Sequence, residues 1–352
     1  MSSALQQSWP PFVLIAGLLL IGLLANRDGL FAWGGARLQG LPGGGLALLG
    51  AALLLDAVVT AVLNLDTAVV FLTPVLVFAA RRRRVAVEPF LYGCVFMANA
   101  SSLFLPGSNL TNLLVLDAHG GASGASFAVK MFPLAITAAL VTALGVAILF
   151  RRSLTAGAAD RPARAADSRP APLVLGVGLL ATIAAVVLVL VLRQPALAVL
   201  AVGLLATAIE LLRSQVALAD VWRVLGLPSL AAAFVLTVAL GTLARHWDGP
   251  AKLIAHASGP ETAGLAAIST VLVNNLPAAA LYSAHAVDHS RMLLLGLNVG
   301  PNLAVTGALS ALLWFRAARE VGERPSLLDF SRRGIPLALA AMGAAILVGT
   351  VG

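Results

Sequence analysis

The chain has 352 residues, 60% apolar and 11% charged, with a mean hydropathy of +0.96. Soluble domains carry about a quarter charged residues, so this composition excludes an ordinary soluble protein and implies an all-α polytopic membrane protein. The net charge of +8 comes from cations gathered in short loops, a topology signal before a nucleic-acid surface, and no nucleic-acid partner is expected. Cys94, the single cysteine, excludes an internal disulfide framework and a multi-thiolate metal cage.

The N-terminal MSSALQQSWPP lacks a basic leader region, and the apolar run behind it ends in NRDGLF without an AxA site. A first span over 11–26 is therefore expected rather than a cleaved signal peptide. LPGGG at 41–45 is a turn, without the GK[ST] ending of a phosphate loop. The apolar stretch 45–80 that follows is interrupted by NLD, Asn64 to Asp66. Its arms run about 11 to 18 residues against the roughly 20 that a span needs, which favours a re-entrant hairpin. Spans are expected over 87–116 and 127–150. The segment 151–171, rich in Ala, Arg, Asp and Pro, reads as a cytoplasmic linker. A helix pair follows at 172–192 and 195–212, then a span over 225–244. A second interrupted stretch, 261–286, has NNLP at its tip, and spans over 292–315 and 334–351 close the chain. The expectation is about eight full spans plus two hairpins.

Charge placement orients these elements. The basic clusters are Arg81–Arg84; Arg151 and Arg152 with Arg161, Arg164 and Arg169; Arg213 and Arg223; and Arg316, Arg319, Arg324, Arg332 and Arg333. With all of them in the cytoplasm, the number of crossings between successive clusters is even, as the positive-inside rule requires. The first hairpin then opens to the cytoplasm and the second to the outside. Span, hairpin, broken span and span occur once in 1–150 and again, entering from the opposite side, in 214–352. Residues 172–213 are left as a scaffold helix pair. Such an inverted repeat is the mark of alternating-access secondary transporters.

Two spans carry polar groups at their middle: LPGSNLTNLLV at 105–115 and LNVGPNLAVTGALSALLW at 297–314. Non-helical backbone at membrane depth survives only where it packs in protein or lines a wet cavity. The hairpin tips at Asn64 to Asp66 and at Asn274 to Pro277, and the helix breaks at Pro106 and Gly107 and at Gly300, Pro301 and Gly307, free carbonyls and N–H groups, and Asn, Ser and Thr add neutral donors and acceptors. Such groups also satisfy one another at helix contacts, but four breaks in two inverted sets favour a polar cradle near the midplane. Asp66 is the sharpest residue, because a bare carboxylate at membrane depth costs several kcal/mol; a proton or cation carrier is the functional reading. Asp56 reads as an interfacial group, and Glu210 as a snorkelling partner of Arg213. Phe31, Trp33, Trp222 and Trp247 suit interfacial belts. His285, Asp288 and His289 read as a solvated hairpin exit rather than a metal site. No nucleophile–base set is present, so neither an enzyme, nor a metal, nor a cofactor is expected.

The set NRDGLFAWGGARL, NLDTAVVFLTPV, SNLTNLLV, NNLPAA and NVGPNLAVTGALSALLW resembles the ArsB-type arsenite efflux permeases of the ion transporter superfamily, over nearly the whole chain. The resemblance implies two inverted repeats, each with a re-entrant hairpin and a broken helix, and export of trivalent arsenic or antimony against protons at the cell membrane. It also implies a homodimer and, as in some members, a soluble ATPase partner. Asp66 matches the acidic residue of the family's hairpin-tip pair, with Leu65 where that pair has Asn. Ser108, Asn109 and Asn112 match the first broken helix; Asn274, Asn275 and Pro277 the second tip; Gly300, Pro301 and Gly307 the second broken helix. Asn302 stands where Lys is common and Asn298 where some members have an acid. Family members usually carry two further N-terminal spans, so the chain reads as shortened by about a helical hairpin.

The expected binding set is Asn64, Asp66, Ser108, Asn109, Thr111, Asn112, Asn274, Asn275, Asn298, Asn302 and Thr306. Its cargo would be a small oxyacid, arsenite first, exported against protons. A sodium-coupled transporter of dicarboxylate or inorganic anion is the alternative, and a non-transporting membrane scaffold a further one.

Overall fold

The computed structural model describes residues 2–118, 123–155, 175–192, 194–247, 249–284 and 287–351. The expected linker beyond residue 155, the start of the 172–192 helix, Arg161, Arg164, Arg169 and His285 lie outside the described residues. Among those described, the regular structure is entirely helical. The first half runs α1 (Ser2–Arg27), α2 (Leu30–Gly40), α3 (Gly45–Val62), α4 (Leu65–Arg82), α5 (Glu88–Ser101), a 3-10 turn at Pro106–Ser108, α6 (Leu110–Ala118) and α7 (Gly124–Leu149). The short α8 (Arg151–Thr155), then α9 (Val177–Val191), α10 (Ala196–Leu212) and α11 (Leu218–Leu225) lead into the second half. That half runs α12 (Leu227–His246), α13 (Gly249–Ala255), α14 (Gly259–Val273), α15 (Asn275–Tyr282), α16 (Ser290–Val299), 3-10 turns at Gly300–Leu303 and Val305–Gly307, α17 (Leu309–Glu320) and α18 (Leu327–Val351).

The two halves share an order of backbone features. Each has a helix–turn–helix hairpin whose second arm is capped by an Asn at positive φ: Asn64 at 149° before α4, Asn274 at 74° before α15. In each, the helix after the hairpin breaks into an extended residue, a three-residue 3-10 turn, a second extended residue and a new helix. These are Leu105, Pro106–Ser108 and Asn109 in one half, and Ala304, Val305–Gly307 and Ala308 in the other. The closing helices α7 and α18 both carry an internal proline, Pro133 and Pro336, and pack on each other. The extended residues flanking the 3-10 turns have similar dihedral angles in the two halves, whereas the tip residues differ, Asn64 at φ 149° and Asn274 at φ 74°.

Among the described residues, five segments are long and apolar enough to span a bilayer: Ser8–Arg27, Gly45–Val62, Gly124–Leu149, Leu218–His246 and Leu327–Thr350. The chain is thus a multi-pass membrane protein. The stretches 87–116 and 292–315, each expected as a span, are pairs of half-helices joined by 3-10 turns. At 15 and 17 residues, α9 and α10 are shorter than a full span, whereas α3, read as a hairpin arm, has 18 residues and could itself cross. The hairpins are unequal: the first has two 18-residue arms, the second arms of 15 and 8.

Small residues set the closest approaches, as expected where lipid removes the hydrophobic drive for helix association. A Cβ on Gly17 of α1 would lie 2.8 Å from the Leu200 backbone of α10, and one on Gly296 of α16 would lie 2.2 Å from the Ala263 carbonyl of α14. Aromatic rings bind the halves together: Trp314 packs against Tyr92 (5.2 Å), Phe315 (4.9 Å) and Phe330 (5.8 Å), and its Nε1 donates to the Leu91 carbonyl at 2.8 Å. Phe31 departs from the interfacial role expected of it. It is buried and stacked on Phe71 at 5.1 Å, because α2 lies against α4 instead of on the lipid surface. Trp33, Trp222 and Trp247 are exposed. Glu210 pairs with Arg213 at 3.2 Å as expected, and Arg27 joins it from α1 at 3.7 Å.

Candidate functional site

The two broken helices meet through a network of neutral side chains. Asn298 of α16 accepts at Oδ1 from Ser102 Oγ (2.6 Å) and Asn109 Nδ2 (2.7 Å). Its Nδ2 donates to Asn112 Oδ1 (2.9 Å) and the Leu294 carbonyl (2.8 Å). Asn112 Nδ2 in turn donates to the carbonyls of Ser102 (2.7 Å) and Leu105 (3.1 Å), just ahead of the break at Pro106 and Gly107, and the Leu105 carbonyl also accepts from Ser108 N–H at 3.1 Å. A second branch joins Asn99 Nδ2 to Asn302 Oδ1 (2.8 Å), Asn302 Nδ2 to the Phe96 carbonyl (3.0 Å) and Ser310 Oγ to Asn99 Oδ1 (3.2 Å). All of these side chains are buried. No Lys or Arg pairs with any of them among the described residues.

The hairpin tips dock on the breaks. On the first, Asn64 Oδ1 caps α4 by accepting from Thr67 N at 2.7 Å, and Ser108 Oγ donates to the Ala61 carbonyl at 3.1 Å. On the second, Asn274 Nδ2 donates to the Thr306 carbonyl (3.1 Å), and Thr306 Oγ1 donates to the Val271 carbonyl (2.8 Å). A cavity of about 10 Å³, room for about one water, lies where α1, the first tip and the first break meet. Asn64, Leu65, Gly107 and Asn109 are among the residues lining it.

The expected site residues therefore fall into groups. Asn109, Asn112, Asn298 and Asn302 share the network; Ser108 joins the first hairpin to its break; Asn274 and Thr306 join the second pair. Thr111 lends its backbone N–H to Asn109 Oδ1 at 3.2 Å, while its hydroxyl has no partner. Asp66 is buried and Asn275 is buried, and neither side chain forms a hydrogen bond or ion pair among the described residues. Pro277 sits in the first turn of α15, where its missing N–H costs nothing. A Cβ on Gly307 would lie 2.5 Å from Pro301 Cα, so Gly307 and Pro301 fold the second break tightly on itself. Asn99, Ser102 and Ser310 belong to the network although the sequence did not single them out. The signal was there: Asn99 and Ser102 are one helical turn apart and continue the polar face that leads to the break.

Four buried polar atoms of the first hairpin have no partner: Asp56 Oδ2, Thr60 Oγ1, Asn64 Nδ2 and Thr67 Oγ1. The expectation that Asp56 is interfacial is overturned: it is fully buried, because α3 packs that side of its shaft against α5 rather than toward headgroups. Asp288 and His289 are exposed, and the described residues hold no cluster of three or more metal-ligating side chains.

Residues 3–306 match the family described as citrate transporter. The fold is similar to the solved structure of the YdaH transporter of Alcanivorax borkumensis, itself described as having an unusual topology. The TM-score is 0.64 at 14% identity, covering 99% of this chain and 86% of that one, a likeness of fold.

Proposed function

The chain belongs to the citrate transporter family and is a secondary transporter, and we propose that it exports a small uncharged oxyacid, arsenite first, across the plasma membrane in exchange for protons. The observation that carries this reading is the donor set. Around the breaks it consists of amides and hydroxyls without a paired Lys or Arg, and beside the first tip stands one carboxyl, Asp66, that nothing partners. A polyanion desolvated among neutral groups needs a counter-charge; an uncharged triol such as As(OH)3 needs only hydrogen bonds. Soft trivalent arsenic prefers thiolates, but a transporter has to release its cargo, and oxygen and amide partners hold it loosely.

In this scheme Asn64 and Asn109, which share the small cavity, receive the cargo together with Thr67 and Thr111, whose hydroxyls lack partners. Asp66 exchanges a proton as the site changes sides: a charge there is costly while enclosed, so it reloads only when water reaches it. The enclosed space holds no more than a water, so cargo enters only when the first hairpin moves off the break. Alternating access is thus a displacement of hairpin against broken helix.

A second reading, transport of citrate or another carboxylate together with a cation, is favoured by the family match itself. Purified protein in proteoliposomes separates the two. Arsenite flux driven by a pH gradient, abolished by a protonophore and reduced at least about tenfold by Asp66→Asn, supports the first. Citrate flux that depends on Na+ or a divalent cation and ignores the protonophore selects the second. Unchanged proton-driven flux in Asp66→Asn removes Asp66 as the carrier.

A further inference from the structure

The shaft of the first hairpin holds a carboxyl that neither scheme uses. Asp56 of α3 is wholly buried, and its side-chain hydrogen-bond partner among the described residues is Cys94 of α5, whose Sγ donates to Oδ1 at 3.6 Å. Cys94 is itself buried and lies 3.5 Å from Thr73 Oγ1 of α4, which donates to the Val69 carbonyl. Asp56 Oδ2 has no partner, and neither has the hydroxyl of Thr60, one helical turn nearer the tip. The helices packed against α3 carry several other titratable groups: Arg37 on α2; Asp66, Arg81 and Arg82 on α4; Glu88 and Tyr92 on α5; Lys130 on α7; Arg151 and Arg152 on α8. None of these pairs with Asp56.

We propose that Asp56 is a second proton site, occupied while the hairpin shaft is packed on α5 and emptied when the shaft leaves it. An ionised carboxylate without a counter-charge in this enclosure would cost several kcal/mol, and a thiol is a weak donor. A bound metal cation does not meet the geometry: hard cations take several oxygen ligands at about 2.3–2.6 Å, and here the neighbour is a sulfur. A cavity of about 470 Å³ is lined by the adjacent residues Leu53, Leu54, Ala57 and Val58 with other apolar side chains, and Asp56 is not part of its lining. Packing and ionisation therefore exclude one another. As the shaft departs, the carboxyl O–H gives its proton to admitted water; before the shaft returns, the carboxylate takes one back. The consequence is a proton-linked latch on hairpin movement, independent of what the tip carries.

The test uses the full chain in lipid nanodiscs and needs no cargo. Infrared spectra at neutral pH should show the C=O stretch of an enclosed carboxylic acid, retained in Asp66→Asn and lost in Asp56→Asn. A wild-type spectrum that Asp56→Asn leaves unchanged overturns the proposal. Should Asp56→Asn fail to give a monodisperse protein, the wild type decides through Cys94, its single thiol. Alkylation by a membrane-permeant maleimide should rise with pH more steeply than the roughly tenfold per unit that thiolate formation alone produces, because ionising Asp56 uncovers the thiol. A rise of tenfold per unit or less overturns the proposal. Failure of the arsenite reading leaves both measurements untouched.

Discussion

The amide of Asn298 has no free valence: both lone-pair directions and both N–H groups are engaged, three of the four with the opposite broken helix or the turn beside it. Hydrogen bonds between membrane helices average about 0.6 kcal/mol each. Asn298→Leu, which also strands Asn109 Nδ2 and Asn112 Oδ1, should therefore cost about 2 to 4 kcal/mol. Thermal unfolding in detergent measures it, and a Tm within error of wild type would show that the network contributes nothing to the meeting of the halves. Asp66 is the opposite case, enclosed and unengaged, and its substitution should spare Tm while affecting flux. The contrast separates side chains that hold the helices from one that is free to exchange with solvent and cargo.

At the scale of elements, the hairpin tips show why Asn is chosen. Asn64 lies at φ 149° and ψ 169°, a region that only glycine enters without strain, and its side chain caps the following arm. Asn64→Gly relieves the backbone and loses the cap; Asn64→Ala loses the cap and keeps the strain. The alanine variant should be the less stable of the two by about 1 to 2 kcal/mol, read as the difference in Tm between them. The second broken helix has its own constraint. A Cβ on Gly334 of α18 would lie 1.9 Å from the Asn302 carbonyl, so Gly334→Ala must push α18 off the break. It should lower Tm and flux together, and a variant with normal flux would show that the break tolerates the shift.

At the scale of the molecule, the two halves are joined along the broken helices, by the α7–α18 contact and by the hairpin arms α4 on α17 and α15 on α6, while each hairpin tip docks on the break of its own half. Motion of a hairpin against its break therefore also shifts that arm's contact with the opposite half. In a Cys94→Ser background, Ala61→Cys combined with Ser108→Cys places thiols on the two sides of the first contact. A short bifunctional crosslinker there should abolish flux, and cleaving the linker should restore it. Full flux in the crosslinked protein would show that the hairpin stays in place during the cycle. Arg81 of α4 also bridges to Glu323 at 2.6 Å and to the Val321 carbonyl at 2.8 Å, tying the far end of the first hairpin to the α17–α18 turn. The ion pair is partly exposed, and exposed pairs contribute about 1 kcal/mol or less.

Hydropathy and the interrupted polar stretches were enough to determine the membrane class and to mark where the polar turns at Asn64, Pro106–Ser108, Asn274 and Gly300 to Gly307 interrupt the helices. Lipid makes these features legible, because unsatisfied polar backbone is forbidden there and each departure from apolar helix marks a place with a reason. Which polar groups satisfy one another is a matter of approach between distant segments, and only the tertiary structure decided it. That is why Asn99 and Ser102 passed unnoticed, why Asp56 proved buried rather than interfacial, and why Phe31 belongs to the core. One-dimensional pattern records that a group is polar; its partner, 200 residues away, is set by helix packing.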